Sequence, residues 1–347
     1  MKAMRRPSIR DVARRAGVSV MTVSRFMNDS GYVGKESAEK IERAVAELRY
    51  RPNQIARSLQ NSKSRNIAVL LGNVSSPMSA LAIKGIESVS FRYGYNLLVC
   101  NTDFSEEKER AYLDMLMQKQ IDGMILAPCS GNPAPLREIT DREIALLFVE
   151  RHVPGILADY VSFDFYNDSF NLTKHLLDIG CRQISVICRE AEKKHDSPHL
   201  KGFEKALSEA SFVFDPFSVS YAPPSPESGY EVMEKILEAG PAPDAVYVTA
   251  GTLAIGALRC CRKRHVNIPH DMRVACFESL GEYDALAYPS LTCNELPAFD
   301  LGVRAAEALL EKICRRIAYD TPPRRFVLPG RLLIRDSTLS YPSTEGV

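Results

Sequence analysis

The chain has 347 residues, of which 45% are hydrophobic and 25% charged, and its net charge is +1. This excludes a disordered chain, a collagen-like repeat and a coiled-coil rod, and the length suggests two or three domains at roughly 100–200 residues each. No apolar stretch approaches the ~18 residues that span a bilayer, residues 1–17 lack the apolar core of a secretory signal, and nine cysteines without a Cys-x-x-Cys pair read as reduced thiols of a cytoplasmic protein, with no metal or other cofactor expected.

The net charge hides an asymmetry. Residues 1–65 carry 15 Lys+Arg against 6 Asp+Glu, a balance of +9, and the remainder carries 29 against 37, a balance of −8. A small basic head on an acidic body points to a polyanionic partner for the head. A merely solvated basic tail is the competing reading, but the segment is patterned to fold. Ser8, with Asp11 three residues on, is a helix N-cap. Ile9, Val12, Ala13 and Ala16 supply an apolar stripe at helical spacing, and Gly17 ends that helix. Ser19 caps a second helix carrying Val20, Val23, Phe26 and Met27, which stops at the Asn28-Asp29-Ser30-Gly31 loop. A third helix is predicted over 35–49, with Ala38, Ile41, Val45 and Leu48 on one face.

A short Gly-containing connection between the first two helices is the helix-turn-helix signature. In that motif the second helix enters the DNA major groove, and its N-terminal residues meet base edges. Val20 and Met21 would touch thymine methyls, and Arg25 would pair with guanine O6 and N7. Ser19, Thr22, Ser24 and Asn28 suit phosphate oxygens, and Ser8 is placed in the same DNA-binding set. Core packing competes for Val20 and a surface salt bridge for Arg25. Residues 52–60 read as a short helix with Pro52 in its first turn, Asn53 or Arg51 near the cap, and Ile55, Ala56 and Leu59 on one side. About eight residues are too few to stand alone in water, so the segment needs a partner surface. Residues 61–65 are a polar linker.

The run SIRDVARRAGVSVMTVSRFMNDSGYVGKESAEKIERAVAELRYRPNQIARSLQ resembles the DNA-binding head of the LacI/GalR family of bacterial transcription regulators. The dense part is DVA…AGVS…TVSR…N…YV followed by RPN…A..L. The resemblance implies that the short segment is a hinge helix that folds on operator DNA within a dimer. Leu59 would wedge into the central minor groove, Ala56 would permit close approach there, and Asn53 would also contact DNA. Arg25 matches the family's base-reading arginine. Gly34 departs from the more usual Ser-like cap of the third helix, although Gly also serves as an N-cap.

Beyond residue 65, apolar runs alternate with helical patterns. Strands are predicted over 66–71, 96–100, 123–127, 145–149, 184–188, 245–249 and 273–277. Helices are predicted over 79–93, 106–119, 168–179, 202–210, 227–239 and 252–264. Such alternation implies βαβ units and parallel sheets covered on both faces. KGIE, YNLLVCNTD, IDGMILAP, GFEKAL, ESGYEVM and LPGRLLIRDST resemble the rest of the same family, whose body is similar to periplasmic sugar-binding proteins. The expected fold is therefore α/β: a three-helix helix-turn-helix head (1–51), a hinge helix and linker (52–65), and two Rossmann-like lobes of the periplasmic-binding-protein type (66–340). The ligand cleft would lie at the carboxyl ends of the strands.

In that cleft the chain departs from the family it resembles. Ser76-Pro77-Met78-Ser79 replaces an aromatic floor, His199 a cleft arginine, Ala250-Gly251 an Asn-Asp pair, Pro224 an aromatic, and Leu296 a glutamine. Glu150 and Glu278 keep acids in kind, as does Asp164. Met78, Glu150, Asp164, His199 and Glu278 are the candidate effector-cleft residues. A solvated loop position is the alternative for His199, and salt bridging the alternative for both glutamates. Loss of the arginine argues against an acidic ligand, because its fork is what reads carboxylates. A neutral or cationic small molecule, a protein partner, or no effector remain as readings.

The expected function is a dimeric, sequence-specific transcription regulator, most simply a repressor, on double-stranded operator DNA. A small-molecule or protein effector would act through lobe closure, which needs only about 1–3 kcal/mol of coupling. A periplasmic-type solute-binding protein is the alternative, and the head stands where its export signal would be. No GxGxxG follows the first strand, where Leu71-Gly72-Asn73-Val74-Ser75 stands, and there is no P-loop or GxSxG. No catalytic residue is assigned. Residues 340–347 cannot supply the heptads of a tetramerising helix, so a homodimer is expected.

Overall fold

The computed structural model describes residues 7–28, 31–50, 63–194, 197–284, 286–315 and 322–339. Two compact units divide between Arg65 and Asn66. The predicted hinge helix, with Asn53, Ala56 and Leu59, lies outside the described residues.

The first unit holds α1 (Ile9–Ala16), α2 (Val20–Asn28) and α3 (Lys35–Leu48). Local chemistry sets their ends. The Asp11 carboxylate accepts from the Ser8 N–H at 2.9 Å and from its hydroxyl at 2.7 Å. Gly17 leaves α1 with φ +67°, a left-handed turn that glycine adopts without strain. Ser19 Oγ accepts the Thr22 N–H at 3.0 Å, satisfying a donor that the start of α2 would otherwise leave open. Val12, Ala13, Ala16, Val23, Ile41 and Ala44 form the small core.

The second unit contains two six-stranded sheets. In chain order come β1 (Asn66–Leu71), α4 (Pro77–Arg92), β2 (Asn96–Asn101), α5 (Glu106–Gln118), β3 (Gly123–Leu126), α6 (Ala134–Asp141), β4 (Ala145–Val149) and β5 (Asp159–Phe163). The chain then passes to α7 (Phe165–Asp178), β6 (Ile184–Arg189), α8 (Pro198–Glu209), β7 (Val219–Ala222), α9 (Pro226–Glu238), β8 (Ala245–Val248), α10 (Gly251–Lys263), β9 (Arg273–Glu278) and β10 (Thr292–Glu295). It ends with α11 (Ala298–Arg315), β11 (Arg325–Leu328) and β12 (Arg331–Leu333). The strand orders are β11-β5-β4-β3-β1-β2 and β12-β10-β9-β8-β6-β7. Every pairing is parallel except β10 with β12. The buried runs of β1 and β4 fit sheets covered on both faces.

The alternation predicted from sequence is present, but it omits α6, β5, β7 and everything after β9. The omitted pieces change the connectivity. α11 leaves the second lobe and packs back on α4, β3, β4 and β5 of the first. β11 then pairs with β5, and β12 with β10. The chain therefore crosses between lobes three times: at Asp164, at Leu296 and Pro297, and at Pro329 and Gly330. Among the described residues no helix is long and apolar enough to cross a membrane.

Candidate nucleic-acid interface and interlobe cleft

In the head, α2 turns Val23 into the core and the opposite face outward. Val20 is 42% exposed and Met21 65%, so the core-packing alternative for Val20 gives way. Arg25 is exposed and has no ion-pair partner among the described residues. Two other head arginines are paired, Arg15 with Glu47 at 2.6 Å and Arg14 with Asp11 at 3.7 Å. Three side chains on one exposed helix face thus offer apolar surface and an uncommitted guanidinium to a groove. The polar set is partly committed. Ser8 bonds Asp11, the Ser19 and Thr22 hydroxyls lie 2.8 Å apart, and Asn28 Nδ2 donates to Ser24 Oγ at 3.3 Å. Tyr32 is 92% exposed beside these helices. The sequence reading passed over it, and an aromatic inside a polar loop was the available signal.

In the body, the five proposed cleft residues have different fates. Met78, at the start of α4, is buried. Glu150 ends β4 in the left-handed region, φ +62°. Asp164 is committed to capping α7, where it accepts from the Asn167 N–H at 3.2 Å and Nδ2 at 2.8 Å. Glu278 ends β9, where burial pushes its carboxyl upward and Glu150 adds to that, while Arg189 opposes both.

His199 is not a solvated loop residue. It lies in the first turn of α8, 2% exposed, with its ring 4.2 Å from Phe277 and 4.9 Å from Phe165. Burial drives it down to about 4, against the pull of Glu192, so the ring is uncharged at neutral pH. The aromatic surface missing after β1 is supplied here by Phe165 and Phe277, from other elements.

The guanidinium is not lost either. Arg189, at the end of β6, donates from Nε to Glu192 at 2.9 Å. Burial opposes its charge, but Glu192, Glu278 and Glu150 hold it protonated. Glu150 reaches it from the other lobe. Sequence reasoning missed both Arg189 and Glu192, since it sought the arginine at the position of His199. Three carboxylates act on this one guanidinium, which disfavours an anionic ligand at the cluster itself for a different reason from the one first given. A cavity of about 440 Å³ is lined by Met78 and Leu81 from one lobe, Ser279 and Arg335 from the other, and Leu296 and Gly330 from the crossovers, and none of Glu150, Arg189, Glu192 and Glu278 lines it. Among the described residues no group of three His, Cys, Asp or Glu side chains could hold a metal ion.

Glu192 also accepts from Ser197 Oγ at 3.1 Å and Thr249 Oγ1 at 3.0 Å. Burial works against its ionisation, yet His199, protonated only in acid, together with Arg189 and these hydrogen bonds, holds it at about 2. Its stabilising contribution is therefore complete above about pH 4.5 and lost as pH falls through 2. Glu192→Gln is expected to cost about 1–3 kcal/mol at pH 7. Urea unfolding at pH 7 and at pH 3 checks it, because the deficit should shrink at the lower pH.

Residues 8–53 match the family described as "Bacterial regulatory proteins, lacI family", and residues 173–338 match a periplasmic binding protein-like domain. The HTH-type transcriptional regulator RegA of Clostridium saccharobutylicum is 32% identical over 334 residues, covering 96% of this chain and 99% of its own. The HTH-type transcriptional repressor PurR of Haemophilus influenzae (strain PittEE) is 30% identical over 333 residues, with the same coverage of 96% and 99%. Among solved structures, a lac repressor dimer bound to operator and the anti-inducer ONPF is similar in fold. Its TM-score is 0.86 at 23% identity, over 97% of this chain and 100% of that one.

Proposed function

The chain belongs to the lacI family of bacterial regulatory proteins, and we propose that it works as a homodimeric repressor on a pseudo-palindromic operator, controlled from the interlobe cleft. It is a DNA-binding transcriptional regulator with a ligand-binding body. The observation that carries the mechanism is the outward face of α2, where Val20, Met21 and Arg25 are exposed together. Each copy sets this face in the major groove of one half-site, with Arg25 on guanine and the two apolar residues on thymine methyls. Ser8, Ser19, Thr22, Ser24 and Asn28 hold the register through phosphates. The paired hinge segments, through Asn53, Ala56 and Leu59, take the central minor groove. A second copy is supported by exposed apolar side chains around the edge strand of the first sheet, Val99 on β2, Phe91 and Tyr93 before it and Phe104 after it.

The effector in this reading is a small neutral or cationic molecule in the interlobe cleft that Met78, Glu150 and Glu278 flank. It acts by binding one lobe arrangement better than the other. The protein is cytoplasmic and performs no catalysis. Selection of operators from randomised duplexes, with and without a metabolite pool, tests the whole scheme. An enriched palindrome whose binding responds to the pool is expected. Failure to enrich any sequence at low salt, where phosphate contacts are strongest, would sink it. Leu59→Ala is expected to weaken operator binding by about tenfold and to reduce bending, because an apolar wedge offsets the cost of unstacking. A variant that bends DNA as fully as its parent would remove the wedge.

A further inference from the structure

The crossovers between the lobes are tied together around Asp168, whose carboxyl group holds one of them directly. Asp168, in the first turn of α7, is 4% exposed. Its Oδ2 accepts the N–H of Gly330 at 2.8 Å, and Gly330 lies on the crossover from β11 in the first lobe to β12 in the second. Its backbone carbonyl accepts from Asn294 Nδ2 at 3.4 Å, two residues before the crossover at Leu296. The crossover at Asp164 donates its own N–H to Leu328 O at 3.0 Å. The junction has no slack, for a Cβ on Gly330 would lie 2.8 Å from Asp168 Oδ2 and 2.9 Å from Leu296 Cδ2. Gly330 also lines the interlobe cavity. Any swing of one lobe on the other must pass through this junction.

We propose that Asp168 is a proton-operated pin at the waist of the regulator: protonated, it holds the lobes as described, and ionised, it favours an arrangement that hydrates its carboxylate. The conformational half stands alone, whereas its effect on operator affinity rests on the function proposed above. A buried carboxylate needs several donors, and among the described residues this one has a single backbone N–H. The charged groups around α7 do not replace them. Asp164, on the same helix, is like-charged. From β10 and β12, Glu295 and Arg331 pair with each other at 2.7 Å. From α8 comes the uncharged His199, and from β9 the acidic Glu278, while Asp300 and Arg335 line the neighbouring cavity. Burial pushes the Asp168 carboxyl up to about 6 against the Gly330 hydrogen bond, and Asp164 adds to the rise. An acid raised in this way disfavours the present arrangement as pH climbs from about 4 through 6. Between pH 5 and 7.5 the ratio of the two arrangements should shift by about tenfold.

Asp168→Asn keeps an oxygen for Gly330 and cannot ionise. Hydrogen exchange of the segment around Gly330 in the full chain, corrected for the intrinsic pH dependence, reads the pin directly. In the wild type, protection there should fall about tenfold between pH 5 and 7.5, and in Asp168→Asn it should stay level. A wild type without pH dependence, or a variant with the same dependence, overturns the proposal. If that variant does not fold, Asp164→Asn, which removes the like charge and can still cap α7, should move the fall in protection to lower pH, and an unmoved profile overturns the proposal. Operator affinity over the same range tests the regulatory half. It should follow pH in the wild type and not in the variant, and a flat wild-type affinity beside a positive exchange result refutes regulation while leaving the pin. If no operator is bound at all, the DNA-binding reading fails and the exchange result still decides the pin.

Discussion

Arg25→Ala should abolish discrimination at one base pair of each half-site and leave the fold intact. A bidentate arginine–guanine contact is worth about 1–3 kcal/mol, or roughly 5–150-fold in preference for the right base. Arg25 is exposed and has no ion pair among the described residues, so its removal breaks none, and the unfolding free energy should change by less than about 0.5 kcal/mol. Competition between the selected operator and its point-substituted versions at one salt concentration provides the check. The variant should bind all four bases at the affected position with similar affinity. Uniform weakening across all operators would instead assign Arg25 to a phosphate. The head can bear this loss because its stability comes from the opposite faces of the helices, through Val12, Val23 and Ile41.

Gly302→Ala should be far more damaging to the fold, although it adds one methyl group. α4 and α11 cross through a reciprocal pair of glycines. A Cβ on Gly302 would lie 2.0 Å from Ala82 O, and one on Gly85 would lie 2.1 Å from Phe299 O. Both obstacles are backbone, so no rotamer change relieves them and the helices must separate. Separation loosens Ile86, Leu301 and Ala305, all buried in the main core. Alanine is the better helix former by about 1 kcal/mol, but overpacking costs about 1–3 kcal/mol and more where the backbone must move. A net loss of about 2 kcal/mol or more is expected in urea unfolding. Gly131→Ala is the control, with nothing within 4 Å of the added atom, and should change stability by less than about 0.5 kcal/mol. α9 and α10 cross in the same manner through Gly229 and Gly256.

What could be read from residues alone is what short-range chemistry dictates. Ser8, Gly17 and Ser19 mark the head's helix ends because caps and left-handed turns depend on a few neighbouring residues. Asn66–Leu71 and Ala145–Val149 are legible as strands because a strand buried on both faces is a continuous apolar run. Arg25 could be chosen because helical spacing places it on the face opposite Val23.

The remaining features depend on partners far away in the chain. Asp159–Phe163 and Arg325–Leu328 become strands by pairing with each other across about 160 residues, and runs of four or five residues carry little preference of their own. The 18-residue α11 was open to helical periodicity, but its return to the first lobe was not, since that depends on glycine contacts with α4. In the cleft, Glu150 and Glu278 could be named from local motifs. The guanidinium that faces them comes from Arg189, which only the register of β6 between β7 and β8 brings there. His199 became an aromatic filler because Phe165 and Phe277 close on it from two other elements. Asp168 looked like one more polar residue in a helix. The crossovers tied together around it take its water away, and a buried carboxyl with one donor titrates where a surface one does not.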